Sequence, residues 1–410
     1  MSHRIANVTT RDARFDLKPG EGTDAIHRNP QYAYAVTLLR TDDGTTGTGF
    51  VLTLGAGNDL VNSAIDLLAV SLVGQDIEAV MAEFGAIQRT MADHPQLRWL
   101  GPHKGIVHLA LASITNACFD LWAMSRGVPL WSLLLDLEPD QIVALLDLSY
   151  LEDVLTAEQA SNLLRQYWPG RPDRAGILKE GYPGYDTSVG WFGYSDQQLV
   201  DNARAAVANG FDALKLKIGA ANPDHDIRRA TLLREAVGPD VRLMVDVNQQ
   251  WTVPQAIDLS RRLAEILPYW IEEPTHPDDI LGHQRIAREI APLRIATGEH
   301  VANRVAFKNY IQAGALHFVQ ADCTRLAGIS EFLTVALLAK QAGLPVAPHV
   351  GDMGQVHQHL MLFLAVALDN DRIFLEHIPH LRQYFVHPAN IRGGRYLPPQ
   401  EPGASAGLRR

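Results

Sequence analysis

A chain of 410 residues with 47% hydrophobic and 20% charged side chains has the composition of a globular protein with a large core. Its formal net charge of -10 opposes general binding to nucleic acid, which needs clustered Lys and Arg to neutralise phosphates. Two cysteines, Cys118 and Cys323, are too few for a disulfide framework and fit a reducing cytoplasm. The first residues lack the apolar stretch of a secretory signal, and the longest apolar run, Leu360 to Leu368, is too short to cross a bilayer. A cytoplasmic protein with no membrane partner is the expectation.

Two apolar, β-prone runs, Tyr32 to Leu39 and Gly47 to Leu54, flank the polar stretch Arg40-Thr-Asp-Asp-Gly44 and predict a hairpin. From Asp59 to about Leu135 apolar residues recur at three- and four-residue intervals, the helical period. Residues 1–140 therefore read as an α+β domain. Gly181 to Tyr194 is rich in turn-formers and aromatics and reads as a long functional loop.

From Asp196 strands and helices alternate. Leu199 to Asn209 predicts a helix stopped by Gly210, and Ala213 to Ile218 a buried strand. Pro223 to Val237 is helical, and Val241 to Val245 is the near-continuous apolar run of a parallel strand covered on both faces. Thr252-Val-Pro-Gln255 has the form of a capping box. Further strands are expected at Tyr269 to Ile271, Arg294 to Ala296, Phe318 to Gln320, Pro345 to Ala347 and Ile373 to Leu375. The tail after Pro398 reads as disordered.

Each of these strands closes on a charged residue. From Lys217 through Asp246, Glu272, Glu299, Asp322, His349 and Glu376 the intervals are 29, 26, 27, 23, 27 and 27 residues, the length of one strand plus one helix with short loops. That cadence predicts a parallel (β/α) barrel of roughly 250 residues. Active sites of such barrels lie at the C-terminal ends of the strands, so the charges read as chemistry.

Asp246, Glu272 and Glu299 end consecutive strands and offer three hard oxygen ligands, the requirement of Mg2+; zinc is disfavoured because the trio lacks His and Cys. Lys215 and Lys217 lie two apart, so strand alternation puts both on one face. Adjacent cations disfavour one another's charge, and one lysine could then act as a general base near neutral pH. Asp322 should neighbour His349 and fix its tautomer. Glu376 could be protonated and donate to an oxyanion, or be a salt-bridge partner. His357, His359, His377 and His380 read as structural or surface histidines. The whole set suits removal of a proton next to a carboxylate, with a metal stabilising the enediolate.

The pattern Leu214-Lys-Leu-Lys217, Asp246-Val-Asn-Gln-Gln-Trp251, Trp270-Ile-Glu-Glu-Pro274, Thr297-Gly-Glu-His300, Asp322 and Pro348-His349 resembles the enolase superfamily, mandelate racemase subgroup. Within it the similarity is closest to L-fuconate dehydratases, through Leu97-Arg-Trp-Leu-Gly-Pro102, Gly181-Tyr-Pro183, Gly193-Tyr-Ser-Asp196, Pro277-Asp-Asp-Ile-Leu-Gly-His283 and Gly394-Arg-Tyr-Leu397. The resemblance implies an α/β fold: an N-terminal α+β capping domain (1–140), a modified TIM barrel (141–386) and a C-terminal segment (387–410) returning to the cap.

It further implies one Mg2+ per subunit on Asp246, Glu272 and Glu299. Lys217 would take the C2 proton and Lys215 would assist the substrate carboxylate. His349, paired with Asp322, would protonate the departing C3 hydroxyl, and Glu376 would hydrogen-bond the enediolate. Substrate contacts would come from Asp24, His27, Tyr32, Trp99 and Asn248, with loop Thr23 to Tyr32 covering the site. The implied enzyme is a hydro-lyase giving a 2-keto-3-deoxy sugar acid from L-fuconate or another mono- or diacid sugar, as a homo-oligomer. A 2-hydroxy acid racemase or epimerase and a non-catalytic binding protein on the same fold stay open.

Overall fold

The computed structural model describes residues 3–101, 103–370 and 373–409; Met1, Ser2, Pro102 and Arg410, which fall in segments named above, lie outside these. The chain opens with an antiparallel sheet of β1 (Ile5–Phe15), β2 (Tyr32–Thr41) and β3 (Thr46–Thr53) in the order β1-β2-β3. The β2–β3 hairpin turns where Asp42, Asp43 and Gly44 predict it, with Gly44 at φ 90°. β1 was not legible: only Ile5, Ala13 and Phe15 along it are buried, so an edge strand bearing Thr, Asp and Arg gives no apolar alternation.

The helix Gly105–Arg126 packs across β2 and β3. It is long and apolar enough to span a membrane, yet 89% of its most apolar window is buried inside the fold, which makes it a core helix. It approaches β3 so closely that a Cβ on Gly47 would lie 2.5 Å from Ala117 O, and one on Gly49 would overlap the backbone of Ser113 and Ala117. Asp120 on this helix accepts from Thr48 N at 2.7 Å and from Ala404 N at 2.6 Å. The C-terminal stretch is thus seated against it. Ala404, Ser405 and Ala406 are buried, and Trp131 Nε1 donates to Pro399 O at 2.7 Å. The expected disorder after Pro398 is therefore corrected: small side chains there fit close to the helix and satisfy backbone groups that composition alone leaves exposed.

The second sheet is parallel from β4 (Tyr182–Gly190) through β5 (Ala213–Lys217), β6 (Arg242–Asp246), β7 (Trp270–Glu272), β8 (Ile295–Thr297) and β9 (Phe318–Val319). A single bridge from Val319 to Val346 supplies the next stave, and β10 (Leu375–His377) pairs onto the other side of the path at β4, the arrangement of a barrel-like sheet. Helices at Asp196–Ala208, Pro223–Val237, Val253–Leu263, Ile280–Glu289, Arg304–Ala313, Ile329–Gln341 and Val356–Ala367 fill the crossovers. Gln255 Oε1 accepts from Thr252 N at 3.0 Å, the capping box read from sequence. Alternation sorts the side chains: Leu214, Leu216, Val245 and Ile271 face the helices, while Ala213, Met244, Trp270, Phe318 and Phe374 fill the barrel floor. Two short strands, β11 (Ile391–Arg392) and β12 (Arg395–Tyr396), then extend the sheet beside β4.

The expected loop at 181–194 is largely the first barrel strand, β4. Its glycines mislead because they read as turns, whereas Gly190 admits the neighbouring strand: a Cβ there would lie 2.5 Å from Lys215 O. Cap and barrel are joined by a buried ionic cluster. Arg304 donates to Asp147 Oδ2 at 2.7 Å and Glu331 Oε1 at 3.1 Å, and the other oxygen of Glu331 meets His108 Nε2 at 2.5 Å.

The close approach under β3 yields a stability test. Gly49→Ala should lower unfolding free energy by about 3 kcal/mol, because backbone on both sides has to move. Gly176→Ala, whose Cβ would meet only the flexible Glu180 Oε1 at 3.6 Å, should stay within about 0.5 kcal/mol. Urea unfolding midpoints of the two variants check this, and equal midpoints would contradict the packing argument.

Candidate active site

Parallel register places Lys217, Asp246 and Glu272 side by side across β5, β6 and β7. Lys217 Nζ donates to Asp246 Oδ2 at 2.6 Å. Lys215 Nζ lies 2.7 Å from Glu272 Oε1, 2.8 Å from Glu376 Oε1 and 3.3 Å from Asp246 Oδ2. Both lysines share one face, as alternation predicts, but their mutual repulsion does not decide their charge. Burial works to lower each of them, and the carboxylates outweigh it: Asp246 holds Lys217, and Glu272 with Glu376 holds Lys215, well above the usual lysine range. The carboxylates across the strands, more than the neighbouring lysine, therefore set the charge of each ammonium. Lys215 is fully buried beneath the mouth and serves as counter-ion to the acidic groups.

Negative charge is in excess here. Burial and the charge of Asp246 push Glu272 above the usual carboxylate range even though Lys215 is beside it. Glu376 is held below that range, since Lys215 overcomes its burial. Its oxygens accept from Thr187 Oγ1 at 2.6 Å and from Val350 N at 2.9 Å as well as from Lys215. Of its two open readings the structure has the salt-bridge partner, an acceptor rather than a protonated donor.

Asp322 and His349 are brought together as expected, with Asp322 Oδ2 2.8 Å from His349 Nδ1. That contact commits the Nδ1 proton to the carboxylate and leaves Nε2 facing outward, 3.4 Å from Glu299 Oε2. Burial opposes charge on His349, but Glu299 first and Asp322 second raise it to about 9. The other Asp322 oxygen accepts from Thr324 N and Oγ1, both at 2.7 Å, and lies 3.2 Å from His357 Nε2. His357 also accepts from Cys323 N at 3.0 Å, so this histidine belongs to the wall behind the dyad. Its place on a separate helix left no sequence signal.

These groups floor a cavity of about 480 Å³ between barrel and cap. Lys217, Glu299, His349 and Glu376 reach its surface, as do Asp24, His27, Tyr32 and Asn248. Trp99 does not: it is 99% exposed, outside the cavity, and the expectation of a substrate contact from it is corrected. It lies on a 3-10 turn, Pro95–Leu100, whose residues are all at least partly exposed. Asp24 shapes the covering loop by accepting from Ile26 N at 2.7 Å and His27 N at 2.6 Å, with His27 Nδ1 at 2.9 Å from its second oxygen. Arg28 stacks on Phe192, 4.7 Å from the ring centroid, and so pins the same loop. Trp191 and Arg325 also line the cavity and were not singled out by sequence. Trp191 sits in the aromatic run, its ring 5.8 Å from Lys217 Nζ and its Nε1 donating to His380 Nε2 at 2.8 Å.

A hard divalent cation needs oxygen donors that converge. Among the described residues, the groups with ligand atoms within 4.8 Å of one another are Asp322–Cys323–His357 and Glu273–Glu299–His300. Asp246, Glu272 and Glu299 are spread wider, the first two each turning an oxygen to a lysine ammonium. Their chemistry nevertheless fits: three carboxylates at neighbouring strand ends, a surplus of buried negative charge that raises Glu272, and the amide oxygen of Asn248 buried with no hydrogen-bond partner.

The comparisons with known proteins agree with this geometry. Residues 6–134 match the family described as mandelate racemase / muconate lactonizing enzyme, N-terminal domain, and residues 198–410 the family described as enolase C-terminal domain-like. The crystal structure of human mitochondrial enolase superfamily member 1 superposes with a TM-score of 0.95 at 40% identity, covering 100% of this chain and 95% of that one. L-galactonate dehydratase of Hypocrea jecorina is 38% identical over 99% of this chain and 92% of its own. L-talarate/galactarate dehydratase of Salmonella typhimurium LT2, crystallised with Mg and L-lyxarohydroxamate, has a TM-score of 0.79 at 27% identity, covering 100% of this chain and 92% of that one. Matched in both its capping and barrel domains, the chain belongs to the enolase superfamily, in the mandelate racemase / muconate lactonizing enzyme subgroup.

Proposed function

We propose that this protein is a Mg2+-dependent hydro-lyase that dehydrates acid sugars, with L-fuconate as its substrate. The observation that carries the reaction is that Lys217 and His349 line one cavity, each paired with a buried carboxylate. Relatives acting on L-galactonate and on L-talarate and galactarate support the substrate class, and the motifs shared with L-fuconate dehydratases support the choice within it.

Asp246, Glu272 and Glu299 would hold the cation. Bound there, Mg2+ would supply positive charge to balance these carboxylates and the substrate's own. Lys217 then accepts the C2 proton at Nζ. His349, its Nδ1–H committed to Asp322, presents Nε2 to the C3 hydroxyl and gives it a proton as the C3–O bond breaks. Water leaves, and the enol tautomerises to a 2-keto-3-deoxy acid. Lys215 stays an ammonium that balances Glu272 and Glu376, and the loop carrying Asp24 and His27 screens the site from solvent. The same Lys and His pair could invert C2, and a racemase of Streptomyces coelicolor with bound magnesium is a structural relative, at 27% identity. Assembly as a homo-oligomer is part of this proposal.

A screen of mono- and diacid sugars with Mg2+, scored for 2-keto acid, should give product from L-fuconate and none after chelation of the metal. Accumulation of C2-inverted substrate without a keto product would instead establish the racemase. Lys217→Ala should lower kcat/KM by about 10³-fold and abolish exchange of the C2 proton with D2O. His349→Asn should lose dehydration by a similar factor and keep the C2 exchange, because Lys217 still meets that face. Mass spectrometry of recovered substrate separates the two variants, and loss of exchange in both would contradict the assigned division of labour.

A further inference from the structure

The cavity is chemically two-sided. Its floor carries Lys217, Glu299, His349 and Glu376, whereas the capping-domain side is built by Leu52, Leu54, Leu60, Val61, Ile106 and Leu109. These come from three separate elements: β3 and its following turn, the helix Asn58–Ala69, and the start of Gly105–Arg126. Three of them are unusually open for aliphatic residues, Leu54 at 41%, Leu60 at 54% and Ile106 at 37%, so they present apolar surface to the space rather than to the core. Thr53 within this wall is already committed, its hydroxyl donating to Asn58 Oδ1 at 2.6 Å and lying 3.1 Å from Ala33 O, while Tyr32 brings a phenol to the same cavity from β2. Asp24 and His27, the nearest charged groups on the covering loop, hydrogen-bond each other.

Resting on the dehydratase reading, we infer that this wall is the subsite for the C6 end of the substrate, and that Leu60 and Ile106 make it select a methyl terminus over a hydroxymethyl or carboxylate. The carboxyl end, C2 and C3 are tied to the barrel floor by the groups that react with them, so C4 to C6 of a six-carbon acid extends toward the cap. A methyl group there removes apolar surface from water at no polar cost. A hydroxymethyl group against these aliphatic side chains loses hydration that they cannot replace, and a carboxylate loses far more, since none of the six carries a cation. An apolar pocket rejects an added hydroxyl only modestly, by about 10- to 100-fold, while a charge is rejected steeply.

L-Fuconate, L-galactonate and galactarate share their configuration from C2 to C5 and differ at C6 as methyl, hydroxymethyl and carboxylate, so they isolate this contact. With Mg2+ the wild-type enzyme should show kcat/KM for L-fuconate about 10-fold above L-galactonate and about 10³-fold above galactarate. The double variant Leu60→Gln, Ile106→Gln places amides on two partly exposed positions and should bring the first ratio to near one by lowering L-fuconate turnover and raising that of L-galactonate. Ratios between substrates are insensitive to a general loss of folded enzyme. Equal wild-type use of L-fuconate and L-galactonate, or a ratio unmoved in the double variant, overturns the subsite. Absence of 2-keto product from all three acids overturns the dehydratase reading itself and takes the subsite with it.

Discussion

The surplus of negative charge at the barrel mouth is the constraint on which the rest of the site depends. Asp246, Glu272, Glu299, Asp322 and Glu376 are gathered where water is largely excluded, and two ammonium groups, Lys215 and Lys217, with nearby histidines including His349 and His357, answer them at close range. Carboxylates placed so deeply are unfavourable unless paired. The carboxylates accordingly favour the ammonium form of both lysines, His349 is drawn toward its charged form, and Glu272 is pushed toward protonation. A site in this condition is built to accept more positive charge, and its acid-base chemistry is set by how that charge is shared.

The capping domain supplies the opposite environment. Close packing of Gly47 and Gly49 under the helix Gly105–Arg126 brings that helix tight against β3, and the same helix then offers Ile106 and Leu109 to the cavity. The buried Arg304 cluster links the linker residues Asp147 and Ser149 to the barrel helices, while Glu331 reaches His108 on the cap helix. The cavity thereby has two unlike sides: the barrel contributes its ionic groups, and the cap contributes an aliphatic wall.

Much of the barrel was legible because its signal is periodic. Apolar runs covered on both faces, each ending in a charge, mark six strands and a bridge within one or two residues of their positions, and Lys215 and Lys217 share a face as alternation requires. The failures have local causes. Glycines that allow strands to approach were read as turns, which hid β4, and the polar edge strand β1 carries no pattern. Trp99 lies outside the cavity although it belongs to a motif of the resemblance, and the balance between lysine repulsion and carboxylate attraction depends on distances that spacing does not carry.

By itself the sequence determined the barrel, the identity of its strand-end groups and the pairing of Asp322 with His349, because strand register converts spacing along the chain directly into neighbourhood. Only the tertiary structure decided the charge states and the shape of the space. Protonation depends on every charge within a few ångströms, and the apolar wall of Leu60 and Ile106 is assembled from segments far apart in the chain. Neither property is carried by any one segment of the chain.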